Sequence, residues 1–295
     1  MLTLDVLAEL LEQHGSSTRA RVREFAVGGR PLAFNTRPAI MGVINLSTDS
    51  WYRESVCLSA ERAIQRANVL HAQGADIVDI GAESSLAHAA RADDTVQNRQ
   101  LLPVIKTLAA SGVPVSVETY QPAVTQACLE AGASVLNLTG AARGEEMLRM
   151  VAAHDAAVII CYVQGPNVRE VTDFDFGADP TAMMRDYFAR QIDLASHCGV
   201  QKILIDPGLG FYYRNLQDSA VRVRHQMRVF LNTFRLRTLG VPVCHALPHG
   251  FEYFGEEVRS AEPFFAVLAA LGGTDLFRTH EVPRTKAVLD TLAVY

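Results

Sequence analysis

The sequence predicts a closed (β/α)8 barrel, and three observations carry that expectation. Short apolar runs of the kind found in buried parallel strands recur eight times along the 295 residues. Amphipathic stretches of helical length lie between them, the alternation that builds βαβ units around a parallel sheet. Most of the runs end in a polar residue: Asn45 in AIMGVIN, Asp79 in IVDIG, Glu118 in VPVSVET, Asn137 in SVLN, Asp206 in KILIDPG, and Arg278 with His280 in DLFRTH. The C-terminal ends of barrel strands converge on one mouth, so these side chains are expected to face one another.

Residues 1–38 read as an N-terminal extension, a helix from Leu2 to Glu12 and a ribbon from Val22 to Phe34 at the barrel's bottom, and residues 39–295 as the barrel itself. The first strand is Ala39–Asn45. Its helix, Ser59 to Gln73, opens on SAER with Ser59 as N-cap and stops at Gly74. Strand two is Ile77–Gly81 and helix two Thr95–Ala110; strand three is Pro114–Glu118. Helix three, Gln121–Ala131, has Pro122 in its first turn and Gly132 as its stop. Strand four, Ser134–Leu138, is followed by a helix from Gly144 to Ala153, and strand five, Ala157–Tyr162, by a long loop and a helix over Pro180–His197. Strand six is Lys202–Asp206; the aromatic loop GLGFYYRN then leads into a helix over Leu216–Thr238. Strand seven (Val241–Leu247), its helix (Ala261–Ala270), strand eight (Leu276–Arg278) and a last helix (Val282–Leu292) complete the ring.

Composition excludes several function classes. A net charge of −5 without clustered Lys or Arg gives no footprint for nucleic acid or an anionic membrane. No apolar run reaches the roughly 20 residues of a membrane span. The start, MLTLDVLAELLEQHG, is an acidic amphipathic pattern rather than a signal peptide, so a cytoplasmic protein is expected. Five cysteines without a CxxC pair read as buried thiols in a reducing compartment.

Without any analogy, Asn45, Glu118, Asn137 and Asp206 offer two amides and two carboxylates, which suit a flat heterocycle with alternating N–H donors and ring acceptors. Arg278 and His280 are placed on opposite faces of the last strand's exit, next to Asn45, where barrels often hold phosphate and where a guanidinium grips its oxygens. The ligand is therefore a small polar heterocycle bearing an anionic group. A salt bridge from Arg278 or His280 to Glu281 or Asp275 is the structural alternative. Asp79 and Glu83 read equally as residues that pin the second loop. Tyr162 and Gln164 are candidate lining residues, His245 and His249 candidate ligands or acid–base groups, and Trp51, Phe211, Tyr212 and Tyr213 candidate covers for a flat ring.

From about Ile40 to Leu289 the chain resembles the dihydropteroate synthase family. IMGVINLSTDSW is similar to the family's first-loop signature and GADIVDIGAESS to its second-strand motif. PVSVETYQPAVTQACLEAGASVLN is similar to its third and fourth strands, ILIDPGLGF to the sixth, and FRTHEV to the closing Arg-x-His. Six pieces in order at compatible spacings make the likeness specific. It implies joining of a hydroxymethyl-dihydropterin diphosphate to p-aminobenzoate with release of pyrophosphate, by a homodimer. It further implies that Asn137 and Asp206 hold the pterin, with Glu118 where the family has Asp. Asn45, Arg278 and His280 would hold the diphosphate, Asn45 would lie near Mg²⁺, and Asn45 and Asp206 would be the catalytic pair.

The chain departs from the family on the acceptor side. Thr48 stands where the family has Pro, SSLAHAA replaces Ser-Thr-Arg-Pro-Gly so that Leu86 takes the arginine's place, and Leu138 replaces an Asp. PHGFEYFG replaces the Ser-Arg-Lys segment, with Phe251 at the lysine, or His249 if the alignment shifts by two. Ser84, Ser85, His249 and Phe251 are thus the candidate acceptor-side residues. The expectation is a transferase whose arylamine is p-aminobenzoate or a bulkier aryl amine. The alternatives are a non-catalytic pterin-binding paralogue and a methyl-transfer barrel using a folate.

Overall fold

Eight parallel strands close around one axis in the computed structural model, which describes residues 1–47, 52–83, 91–140, 143–211, 213–255 and 258–295. Helix α1 (Leu4–His14) and an antiparallel ribbon of β1 (Phe25–Val27) and β2 (Arg30–Leu32) precede the barrel. The ring then runs β3 (Ala39–Asn45), α2 (Ala60–Ala72), β4 (Ile77–Gly81), α3 (Asp94–Ala110), β5 (Val115–Thr119), α4 (Pro122–Glu130), β6 (Val135–Leu138) and α5 (Gly144–Ala153). It continues through β7 (Ala157–Cys161), α6 (Pro180–His197), β8 (Lys202–Asp206), α7 (Ser219–Leu231), α8 (Thr233–Leu236) and β9 (Cys244–Ala246). Last come α9 (Phe251–Phe254), α10 (Val258–Leu271), β10 (Leu276–Thr279) and α11 (Val282–Leu292).

Strand order is β8-β7-β6-β5-β4-β3-β10-β9, and a parallel bridge between Ile205 and Val243 closes the seam between β8 and β9. The Ile205 N–H donates to the Pro242 carbonyl there at 3.1 Å. Helix starts follow local chemistry. Side chains of Ser59, Asp93, Asp179 and Asp218 each accept from an amide in the first turn of α2, α3, α6 and α7. Gly74 ends the α2 region at φ +109°, a left-handed value that a Cβ resists.

Two elements differ from the sequence expectation for physical reasons. The helix expected over 216–238 is divided into α7 and α8 at Asn232. The Thr233 hydroxyl lies 2.8 Å from the Phe230 carbonyl, 3.1 Å from that of Val229 and 2.8 Å from His245 Nε2, and such back-bonding competes with the helical ladder. Strand β9 is shorter than expected because Pro242 has no N–H and the Val243 amide is taken by the Asp275 carboxylate at 2.9 Å.

Alternation along the strands divides the barrel's interior by height. At the bottom Met41, Ile77, Val135, Ala157, Leu204 and Leu276 form an apolar plug with Val22, Val27, Leu32 and Phe34 from the ribbon region. One pleat higher the inward positions turn polar: Asp79 above Ile77, Asn137 above Val135, Asp206 above Leu204 and Arg278 above Leu276. A second, larger apolar layer fills the space between strands and helices. All five cysteines are free thiols, and four of them are buried, Cys198 being the partly exposed one. Among the described residues, no helix is long and apolar enough to cross a membrane.

Candidate active site

Parallel register sets the deep end of the mouth. Asn45 pairs with Gly81, Gly81 with Glu118 and Glu118 with Asn137, so three strand ends present their side chains at one level. Asp79 sits at the centre, wholly buried. Its Oδ1 accepts from Ser116 Oγ at 2.6 Å; its Oδ2 accepts from Arg278 Nε at 2.7 Å and Asn137 Nδ2 at 3.2 Å. Arg278 Nη2 donates onward to Glu118 Oε2. Cys161 Sγ lies 3.5 Å from Asn137 Oδ1 and fixes which way that amide faces. Asp206 Oδ1 accepts the Gly208 amide at 2.7 Å, in a turn where Gly208 has φ +73°. A Cβ on that glycine would lie 2.4 Å from the Tyr162 carbonyl, so the turn that holds the Asp206 carboxylate requires glycine.

Electrostatics follow from crowding three acids around one base. Burial pushes Asp206 up to about 6, against the Gly208 hydrogen bond and the Arg278 charge. Burial also raises Glu118, with Asp79 and Asp206 adding to the rise and Arg278 opposing it. Burial disfavours the charge on Arg278, but Asp79 and Glu118 outweigh that cost and hold the guanidinium firmly charged. Burial keeps the Cys161 and Cys244 thiols neutral beneath the acids. Glu118, Asp206, Cys161 and Arg278 line a cavity of about 230 Å³ that opens at the rim, while Asp79 and Cys244 lie behind its wall. It accepts hydrogen bonds far more readily than it donates them.

A second group stands at the rim. Glu262, on α10, is fully buried, and its Oε1 lies 2.8 Å from His249 Nε2 and 2.9 Å from His280 Nδ1. Its Oε2 accepts from the Thr279 hydroxyl and, at 3.0 Å, from the Glu281 amide. Burial works against this charge, yet the hydrogen bonds from the two histidines hold the Glu262 carboxyl well below the usual range. Burial pushes His249 down to about 4. Tyr52 stacks on His249 at 5.7 Å, tilts over His280 at 4.7 Å and donates its hydroxyl to Glu281. Nearby, Asn45 Nδ2 donates to Ser55 Oγ at 2.6 Å, and Asn45 lines the cavity.

The cavity brings together Asn45, Glu118, Asn137, Asp206, Arg278, His280 and His249. Arg278 and His280 part company at the end of β10. Arg278 turns into the barrel, while the Nδ1 of His280 meets α10. Among the described residues Arg278 pairs with Asp79 and Glu118, and His280 pairs with Glu262, so neither forms the salt bridge to Glu281 or Asp275 that is the structural alternative. Tyr213 is not a cover for a ring. It is 2% exposed, its hydroxyl accepts the Gln164 amide, and it packs on Phe174. Phe211 does line the cavity. His245 is sealed beneath it against Thr233 and Phe230. Ser84, Ser85, Leu86, Thr48, Trp51 and Tyr212 lie outside the described residues, as does the side chain of Phe251.

Sequence reasoning passed over Glu262 and gave Asp79 too small a part. The signal for Glu262 is a lone acid in the apolar helix AEPFFAVLAAL, where a charge needs a partner. No sequence signal pairs Arg169, after β7, with Glu83, after β4. Both side chains are buried, they meet at 3.0 Å, and Tyr120 closes the group with a 2.6 Å hydrogen bond to Glu83.

The chain is similar to known proteins along most of its length. Residues 41–280 match the profile of the family described as "Pterin binding enzyme". The chain is 30% identical over 264 residues to a dihydropteroate synthase of Mycobacterium leprae, covering 86% of this chain and 91% of that protein. It is 28% identical over 270 residues to one from Synechocystis, covering 87% and 89%. Among solved structures it is similar to the Xanthomonas albilineans dihydropteroate synthase with 4-aminobenzoic acid, at a TM-score of 0.76, 29% identity, and coverage of 92% of this chain and 97% of that one. The Thermus thermophilus dihydropteroate synthase in complex with 6HMPPP is similar at a TM-score of 0.72, 26% identity, and coverage of 92% and 99%.

Proposed function

Because the chain belongs to the dihydropteroate synthase family of pterin-binding enzymes, we propose that its mouth joins a hydroxymethyl-dihydropterin diphosphate to an arylamine and releases pyrophosphate. The observation that carries this reading is the cavity-lining acceptor array of Glu118, Asn137 and Asp206, with Asp79 behind it holding the Arg278 guanidinium. A reduced pterin presents ring N–H and amino donors along one edge, and carboxylates and amide oxygens complement them. In the reaction the amine nitrogen bonds to the exocyclic methylene carbon as the C–O bond breaks. The electron pair leaves with pyrophosphate, and one amine proton passes to solvent. Positive charge builds on the methylene and the ring, where Asp206 and Glu118 stabilise it.

The diphosphate belongs at the rim, near Asn45 and His280. Arg278 commits Nε and Nη2 to the two acids and retains further N–H donors for an anion. Mg²⁺ fits this end: with Nδ2 of Asn45 on Ser55, its Oδ1 is a hard oxygen donor, and Mg²⁺ takes few protein ligands besides phosphate oxygens and water. When bound there it would neutralise charge on the departing pyrophosphate. The second substrate is p-aminobenzoate or a bulkier aryl amine, set by the residues at 84–86 and by His249 beside α9.

The direct test is pyrophosphate release from the pterin diphosphate in the presence of Mg²⁺ and a panel of arylamines. Release with at least one amine is expected. Tight pterin binding by calorimetry without release for any amine would replace this reading with a non-catalytic pterin-binding role.

A further inference from the structure

We propose that His249 Nε2, Glu262 and His280 Nδ1 form a binding site for one divalent cation of the zinc type at the rim of the mouth. The three ligand atoms lie within 4.8 Å of one another, and all three residues are buried. Two of the three spacings are already short, 2.8 Å and 2.9 Å to the same carboxylate oxygen. A cation about 2.0–2.2 Å from each ligand in a tetrahedral shell needs neighbouring ligand atoms about 3.3–3.6 Å apart. Small rotations of the two rings would open the pair spacings to that value.

Three further features fit a cation better than a hydrogen-bonded core. First, Oε2 of Glu262 is fixed from behind by Thr279 Oγ1 and the Glu281 amide, and Oε1 by the His280 amide at 3.1 Å. Carboxylate ligands are typically oriented by such outer contacts. Second, among the described residues Glu262 pairs with imidazoles and with no lysine or arginine, although it carries a charge wholly removed from water. Both ring nitrogens and the carboxylate oxygen converge on one small volume, where a single cation could replace the shared proton contacts. Third, His249 and His280 both line the cavity, which provides an entry path and a side open to water or an anionic ligand.

Two nitrogens and one oxygen select the ion. Imidazole suits zinc, cobalt and their neighbours, whereas Mg²⁺ prefers an all-oxygen shell. The site is therefore chemically distinct from an oxygen-donor site at Asn45. It does not depend on the transferase reading, and its readouts are metal content and spectra rather than turnover.

The test uses full-length protein stripped with a chelator and titrated with Co²⁺, then with Zn²⁺. One equivalent of Co²⁺ should produce visible ligand-field bands of low coordination number, and one equivalent of Zn²⁺ should discharge them while excess Mg²⁺ does not. His249→Ala should weaken Zn²⁺ binding by roughly 100-fold or more, given that even outer-shell losses cost about 10–100-fold. Glu262→Gln should do the same, and the wild-type spectrum stands even if that buried variant fails to fold. Wild-type protein that takes up no stoichiometric Co²⁺ or Zn²⁺ would overturn the proposal. So would equal binding by wild type and a folded His249→Ala variant, or displacement by Mg²⁺ at equal concentration.

Discussion

Replacing Arg278 by Met tests the physical basis of the deep site. The change removes the guanidinium from between Asp79 and Glu118 and leaves an apolar chain of similar length. Asp79 keeps the Ser116 hydroxyl and the Asn137 amide, so its carboxylate remains hydrogen-bonded. Glu118 loses its ion-pair partner while its side chain stays mostly out of solvent at the cavity wall. Breaking a buried pair by removing one member typically costs about 3–5 kcal/mol, and that is the expected loss of stability at pH 8.

The loss should also depend on pH, and its sign follows from linkage. Burial already raises the folded pKa of Glu118, and in the variant the Arg278 charge that opposed the rise is gone. The native state then binds the proton more tightly than the unfolded chain, so stability is present at low pH and is lost as pH rises through the folded pKa. Urea midpoints at pH 5 and pH 8 should therefore show a smaller deficit at pH 5. Adding Glu118→Gln removes the stranded charge and should restore at least about 1 kcal/mol at pH 8, a coupling of the size found between contacting residues. A deficit below about 1 kcal/mol at pH 8, or one equal at both pH values, would refute the reasoning.

Pterin affinity should rise between pH 5 and 7 as the Asp206 carboxyl, held near 6 by burial, ionises and begins to accept the ring's N–H donors. Fluorescence titration should find that rise abolished in Asp206→Asn. Asn45→Ala should weaken binding of the pterin diphosphate by about tenfold, the worth of a hydrogen bond to a charged group, while leaving the affinity for the pterin without its diphosphate unchanged by calorimetry. Gly272→Ala should cost about 1–3 kcal/mol through overpacking, read from urea midpoints, because its Cβ would lie 1.8 Å from the Phe230 carbonyl at the crossing of α7 and α10.

The eight-strand ring was legible because period-two alternation and continuous apolar runs are local signals. The ends of those strands were legible too, since a polar residue after a buried strand has few places to point but the mouth. Partner identity was not. Nothing near Arg278 in sequence announces Asp79, 199 positions earlier, as its Nε acceptor. Asp79 reads as a loop-pinning residue until the neighbouring strands place Ser116, Asn137 and Arg278 around it. Glu262 is harder still, because it lies on a helix outside the ring and reaches over the end of β10 to meet His280. Tyr213 misled because loop aromatics look alike in sequence, and only packing shows which of them faces the core.

The vertical order of the interior dictates how a ligand must enter. The floor is hydrocarbon, so nothing below the level of Asp79 can hydrogen-bond a substrate. At that level Asp79, Glu118 and Asp206 surround the one guanidinium of Arg278, an excess of acids at the deep end of the cavity. A diphosphate driven to that depth would meet these acids where solvent screens charge less than it does at the rim. A ring edge rich in N–H donors meets the opposite condition. In the proposed reaction the heterocycle enters first and its anionic tail stays at the rim, on the side of Asn45 and the two histidines. The same proposal sets the breaking C–O bond between the two zones, with the acids below it to stabilise cationic charge and the rim groups above it to hold the anion. A catalytic arrangement thus follows from the order of residue types along the strands, before any single side chain is assigned a role.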